Sequence, residues 1–145
     1  MIVFDANVLL YAYNSRSEFH LPCRSFIEET LSGPDPAALC WQSILAFLRI
    51  GTNPRAFAQP LSRSEATAIV SVWLTNPSVV LIEPGERFWG ILSRLIDTAQ
   101  VSGPLMTDAA LAALTIEHGG TLCTTDRDFT RFPTLQTLDP TRSPN

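Results

Sequence analysis

Ile2-Val3-Phe4-Asp5-Ala6-Asn7-Val8-Leu9-Leu10 sets three apolar residues before an acid and then resumes an apolar run. A short continuous apolar run is the pattern of a strand covered on both faces, and here an acid stands at its carboxyl end. The pattern returns late in the chain, where Thr121-Leu122-Cys123-Thr124-Thr125 runs into Asp126. Between the two, Ala37-Ala38-Leu39-Cys40-Trp41 and Val79-Val80-Leu81-Ile82 read as further buried strands, the second bounded by Pro77 and Pro84. Leu135-Gln136-Thr137-Leu138 reads as a last edge strand.

The segments between these strands have helical periodicity. Asn7–Tyr13 reads as a helix or turn. Leu21, Cys23, Phe26, Ile27 and Leu31 fall near helical spacing and stop at Gly33-Pro34. Ser43 is placed to cap a helix over Ile44–Ile50, which Thr52-Asn53-Pro54-Arg55 ends. Ser62-Arg63-Ser64-Glu65 has the spacing of a capping box and opens a helix reaching Asn76-Pro77. Phe88–Ala99 is amphipathic. Thr107 is placed to cap a helix from Asp108 to His118, closed by Gly119-Gly120. Short buried strands alternating with helices of about three turns indicate a short central parallel sheet with helices on both faces. The expectation is therefore an α/β fold of three layers, α/β/α, forming one domain over residues 1–145.

Composition narrows the chemistry. All ten basic residues are Arg, so the chain has no Lys for a Walker-A loop or a Schiff base. Two His and three scattered Cys, with no C-x-x-C, exclude a zinc finger. Cys40 and Cys123 lie in apolar runs and read as core thiols. Charged residues make up 17% of the chain, below a typical ~25%, which suggests an apolar surface covered by a partner. Met1 to Asp5 contains no basic leader region, and no apolar run is long enough to span a membrane. A cytoplasmic location with no membrane partner is expected.

In a parallel α/β sheet, ligands gather at the carboxyl ends of the strands. Asp5 and Asp126 both end strands there. Asp108 opens the helix that precedes the Thr121 strand, so it faces the same edge. Asp128 lies two residues beyond Asp126. Each alone is an ordinary capping or turn residue. Together they place several carboxylates in a small volume, where mutual repulsion is relieved by a hard divalent cation with oxygen ligands. Such a cation suits phosphodiester hydrolysis.

Three stretches carry a resemblance. Residues 2–10, Thr107-Asp108-Ala109-Ala110-Leu111-Ala112-Ala113-Leu114-Thr115-Ile116-Glu117-His118-Gly119, and Thr124-Thr125-Asp126-Arg127-Asp128-Phe129 together resemble the PIN-domain ribonucleases, most closely the VapC toxins of type II toxin–antitoxin pairs. Trp41 to Arg55 is similar to a stretch found in one VapC subgroup. The resemblance extends from residue 2 to about 133. It implies a Mg²⁺- or Mn²⁺-dependent endoribonuclease, a VapB-like antitoxin partner and a homodimer. By position, Asp5, Asp108 and Asp126 would be metal ligands, with Asp128 joining them in the catalytic set. Asn7 falls where the family often has Ser or Thr. One departure stands out: many members carry Glu where this chain has Ala46, just before Phe47-Leu48-Arg49.

Arg49, Arg55, Arg127 and Arg131 flank these motifs and are placed to contact phosphates. Tyr11, Tyr13 and Phe57 are the aromatic candidates for stacking on unpaired bases. An antitoxin segment is expected in an apolar groove built from Phe19–Leu31 and Ile44–Phe57. Two other readings keep the fold: a non-catalytic module that binds RNA or protein, which Ala46 favours, and a DNA-directed nuclease. A haloacid-dehalogenase-type phosphohydrolase needs a second Asp at position 7 and a later Lys, and the chain has neither. The formal charge is −4. Setting aside Asp5, Asp108, Asp126 and Asp128 leaves as many acids as arginines, so the excess acidity lies wholly in the proposed site.

Overall fold

The computed structural model describes residues 1–142. Five parallel strands form one sheet: β1 (Ile2–Phe4), β2 (Ala37–Leu39), β3 (Val79–Leu81), β4 (Thr121–Cys123) and β5 (Thr137–Leu138). Their order is β3-β2-β1-β4-β5, with Phe4 opposite Cys123 in the β1–β4 register. The central strand and its β4 neighbour are thus the two whose ends carry acids.

Side chains of a strand point alternately to opposite faces, and even these three-residue strands use that alternation. Val3, Ala38 and Leu122 pack with Ile91, Leu95, Ala109, Leu111 and Leu114 on one side of the sheet. Phe4, Ala37, Leu39 and Cys123 pack with Val8, Leu9, Ile44, Phe47 and Trp73 on the other. The first layer consists of α5 (Phe88–Thr98) and α6 (Leu105–Glu117). The second consists of α1 (Ala6–Ala12), α2 (His20–Ser32), α3 (Trp41–Gly51) and α4 (Arg63–Thr75). This is the three-layer α/β/α arrangement expected from the alternating pattern. Cys23, Cys40 and Cys123 are all free and buried.

Several local expectations hold and several do not. Ser62 caps α4 with its hydroxyl on the Glu65 amide at 3.1 Å, and the Glu65 carboxylate accepts from the Ser62 amide at 3.0 Å. Gly119 ends α6 at φ +67°, where a side chain would be strained. The Gly120 amide donates to Thr115 O at 3.0 Å across that turn. α6 begins at Leu105, however, with Pro104 as its cap residue; the Thr107 hydroxyl donates back to Pro104 O instead of capping. α3 begins at Trp41, and Ser43 is a buried residue near Cys40 Sγ rather than a cap. β3 is an edge strand with Val80 exposed, not a fully buried one. Phe57 is only 5% exposed, because the turn after α3 folds it inward; it cannot stack on a base. Phe47 is fully buried against Tyr13 and Trp73. The expected antitoxin groove therefore cannot use Phe47 or Phe57; the exposed large apolar residues of those segments are Leu21 and Leu45, with Trp41 just before the second.

Candidate metal centre

The Asp5 amide continues the pairing of β1 by donating to Cys123 O at 3.0 Å. Its carboxylate turns back as the N-cap of α1, with Oδ1 accepting from the Ala6 amide at 2.7 Å. Oδ2 accepts from the Thr124 hydroxyl at 2.8 Å. α6 runs antiparallel to the β4 strand it feeds, so its N-terminal turn lies at the carboxyl edge of the sheet and carries Asp108 there. Beyond β4 the chain enters a 3-10 helix, Arg127–Arg131, whose N-cap is Asp126. Asp126 Oδ1 accepts from the Asp128 amide at 2.9 Å, and this turn faces Asp128 toward the same region.

Asp108, Asp126 and Asp128 each present a carboxylate oxygen, and the three lie within 4.8 Å of one another. Asp108 is half-buried; Asp126 and Asp128 are exposed. Asp5 stands outside this tightest group. It is coupled to it through Thr124 and through the field of Asp126. The ligand set expected from sequence was Asp5, Asp108 and Asp126. The geometry instead brings Asp128 into the closest trio, because the 3-10 turn folds it back beside Asp126.

Electrostatics agree with this crowding. Burial pushes the Asp108 carboxyl above its ordinary value, and Asp126, Asp5 and Asp128 push it further, against a smaller opposing pull from Arg131. Burial likewise raises Asp5, with Asp126 adding to it, while the hydrogen bonds from Thr124 and Ala6 oppose the rise. Asp108 and Asp5, raised first by burial and then by neighbouring negative charge, are carboxylates that a nearby cation would relieve. The donors are all oxygens, the set that suits Mg²⁺ or Mn²⁺ rather than a soft metal. Asn7 adds a buried carbonyl oxygen, Oδ1, that has no hydrogen-bond partner among the described residues.

A cleft of about 400 Å³ opens beside the acids, lined by Asp5, Gln42, Ala46, Arg49, Thr107 and Asp108 among others. Gln42 crosses it to donate from Nε2 to Thr107 O at 2.8 Å. Ala46, the position at which the resemblance leads one to expect Glu, lines this cleft together with Asp5 and Asp108. Arg49, one turn along α3, lines the same cleft. Arg131 is close enough to act on Asp108, and its Nε donates to Asp128 O at 3.1 Å. Arg55 and Arg127 are exposed. Tyr11 packs edge-on against Phe19, and Tyr13 against Phe47 and Trp73, so both act first as packing residues. Sequence reasoning passed over Thr124 and left Gln42 without a role. The only signal for Thr124 was its place two residues before Asp126, and a hydroxyl there is unremarkable until the strand register is known.

A PIN-domain family model matches residues 2–135. The chain belongs to the PIN-domain family. Among PIN-domain relatives, the chain is 42% identical over 132 residues to Ribonuclease VapC37 of Mycobacterium tuberculosis, covering 91% of this chain and 92% of that protein. It is 36% identical over 142 residues to Ribonuclease VapC33 of the same species, covering 98% and 99%. Among solved structures it resembles VapBC-1 from nontypeable Haemophilus influenzae with a TM-score of 0.71 at 18% identity, covering 98% of this chain and 100% of that one. At that identity the likeness concerns the PIN fold. No helix among the described residues is long and apolar enough to cross a membrane.

Proposed function

We propose that the protein is the toxin of a type II toxin–antitoxin pair: a Mg²⁺- or Mn²⁺-dependent endoribonuclease of the VapC kind. It would act in the cytoplasm as a single domain, assemble as a homodimer and be held by a VapB-like antitoxin. The observation that carries this reading is the meeting of Asp108, Asp126 and Asp128 within 4.8 Å, beside Asp5, in a PIN-domain chain. The names of the VapC relatives support RNA as substrate.

Asp108, Asp126 and Asp128 are the residues that would hold the cation, with Asp5 completing the acidic wall. Bound Mg²⁺ or Mn²⁺ would supply charge to a phosphodiester and acidify a water. The protein's own residues do the rest. Arg49 and Arg131 flank the acids and offer planar guanidiniums to the phosphates on either side of the scissile bond. Gln42 closes one wall of the cleft through Thr107. The amides of the first turn of α6 add partial positive charge beside Asp108.

Ala46 favours a second reading, a PIN-fold module that binds RNA or protein without cutting it, since the cleft lacks one carboxylate there. Incubation of the purified protein with structured RNA and with DNA of the same sequence separates the readings. Cleavage of RNA that needs Mg²⁺ or Mn²⁺, stops in EDTA and is lost in Asp5→Asn supports the nuclease. RNA binding with no cleavage under any metal supports the binding module, and cleavage unaffected by EDTA or by Asp5→Asn refutes the assigned site.

A further inference from the structure

We propose that Thr124 is a positioning residue of the acidic site: its one hydroxyl oxygen orients the Asp5 carboxylate and ties it to the loop carrying Asp126. The proposal deepens the nuclease reading above and rests on it for its consequence in catalysis.

A threonine hydroxyl has one proton and two lone pairs. At Thr124 all three are assigned. The oxygen accepts from the Asp126 amide at 3.0 Å and, more weakly, from Asn7 Nδ2 at 3.5 Å. Both of those partners are donors, so the hydroxyl proton has one direction left. It goes to Asp5 Oδ2 at 2.8 Å. The same logic fixes the Asn7 amide: turned over, it would set its carbonyl oxygen against a hydroxyl whose proton is already committed to Asp5. With Oδ1 held by the Ala6 amide at 2.7 Å, both oxygens of Asp5 accept, and the plane of the carboxylate is set.

Thr124 is itself rigidly held. It is 4% exposed, and its amide donates to Leu138 O at 2.9 Å, which fastens it to β5. A β-branched side chain has few χ1 rotamers to lose. One oxygen thus joins three elements: the end of β1 through Asp5, the start of α1 through Asn7, and the 3-10 turn through Asp126. Hydrogen bonds of this kind, one step behind the ligands, commonly govern a site's metal affinity and rate. A residue that only filled space would need the methyl group and not the hydroxyl.

The test compares Thr124→Val, which keeps shape and loses the hydroxyl, with Thr124→Ser, which keeps the hydroxyl. Mn²⁺ affinity is measured by calorimetry on each full-length protein, cleavage of structured RNA in Mn²⁺ is timed, and melting curves are recorded. The expected result is a ~10–100-fold loss of Mn²⁺ affinity and of cleavage rate in Thr124→Val, with Thr124→Ser within about threefold of the parent. If Thr124→Val melts below the assay temperature, Thr124→Cys, with a weak thiol donor of similar size, replaces it with the same expectation. Parent-like Mn²⁺ binding and cleavage in the hydroxyl-free variant overturns the proposal alone, as does a Thr124→Ser as impaired as Thr124→Val. A parent protein that binds no Mn²⁺ overturns the nuclease reading and this proposal with it.

Discussion

Replacing Asp108 by Asn should make the metal-free protein more stable, not less. Asp108, Asp126 and Asp128 have carboxylate oxygens within 4.8 Å of one another. At that separation two unit charges repel by about 0.9 kcal/mol in bulk water and about 3.5 kcal/mol at an effective dielectric of 20. Asp126 and Asp128 are exposed, so the lower figure is the nearer one, and salt screens it further. Removing the Asp108 charge relieves two such pairs, about 1–2 kcal/mol in all. For a chain of this size, that is a rise in Tm of about 3–6 °C. The pH dependence has a definite sign. Asp108 and Asp5 both sit above their ordinary values, chiefly because they are buried. Between the ordinary carboxylate value and the raised one, the folded state holds more protons than the unfolded, so stability falls as pH rises through that window. Asp108→Asn should flatten this slope. It should also lose the stabilisation that a cation at one hundred times its Kd would give, about 2.7 kcal/mol. Differential scanning calorimetry at several pH values, with and without Mn²⁺, reads both effects. A lower Tm without metal, or a Mn²⁺-induced rise equal to the parent's, would refute the argument.

Ala46 lines the cleft with Asp5 and Asp108, so Ala46→Glu, by adding one carboxylate to the ligand charge, should tighten Mn²⁺ binding and speed RNA cleavage; calorimetry and a timed digest check this, and weaker or unchanged binding counts against it. Phe47 is fully buried beside Trp73, so Phe47→Ala should cost ~3–5 kcal/mol of stability, measured by urea unfolding, and any loss of antitoxin binding would follow from unfolding. Ser62→Ala removes the cap of α4 and should cost about 1 kcal/mol without altering cleavage; a changed cleavage rate at full folding would contradict that separation. Arg49→Ala should weaken RNA binding and reduce the salt slope of log K by about one phosphate contact, read by fluorescence anisotropy over a range of salt.

The central strands are legible because each carries a short buried apolar core, Ile2-Val3-Phe4 and Leu122-Cys123, and because an acid follows each one, directly at Asp5 and three residues on at Asp126. Their pairing is what brings Asp5 beside Thr124, and it follows from the Phe4–Cys123 register, which no local pattern reports. β3 differs from its expectation because an edge strand with one exposed valine has the same composition as a buried one. The start of α6 was placed too late: Thr107 has a capping residue's chemistry, but Pro104 suits the first turn equally well and the helix begins earlier. Phe57 is a stacking candidate by its aromatic ring alone, and tertiary packing buries it. The four carboxylates were legible as a group. Which three stand closest was not, since it depends on a 3-10 turn that swings Asp128 back beside Asp126. The Thr124 hydroxyl has one local partner, the Asp126 amide two residues on, but its links to Asp5 and Asn7 span 119 and 117 residues and no local pattern reports them.

The central claim is that these carboxylates hold the cation. Crystals grown with Mn²⁺ and recorded at the manganese absorption edge address it directly. The account predicts one strong anomalous peak at the carboxyl edge of the sheet, within coordination distance of oxygens from Asp108 and Asp126, with Asp128 or Asp5 beside them. A peak bound elsewhere on the protein, or none at a Mn²⁺ concentration that supports cleavage, would contradict it.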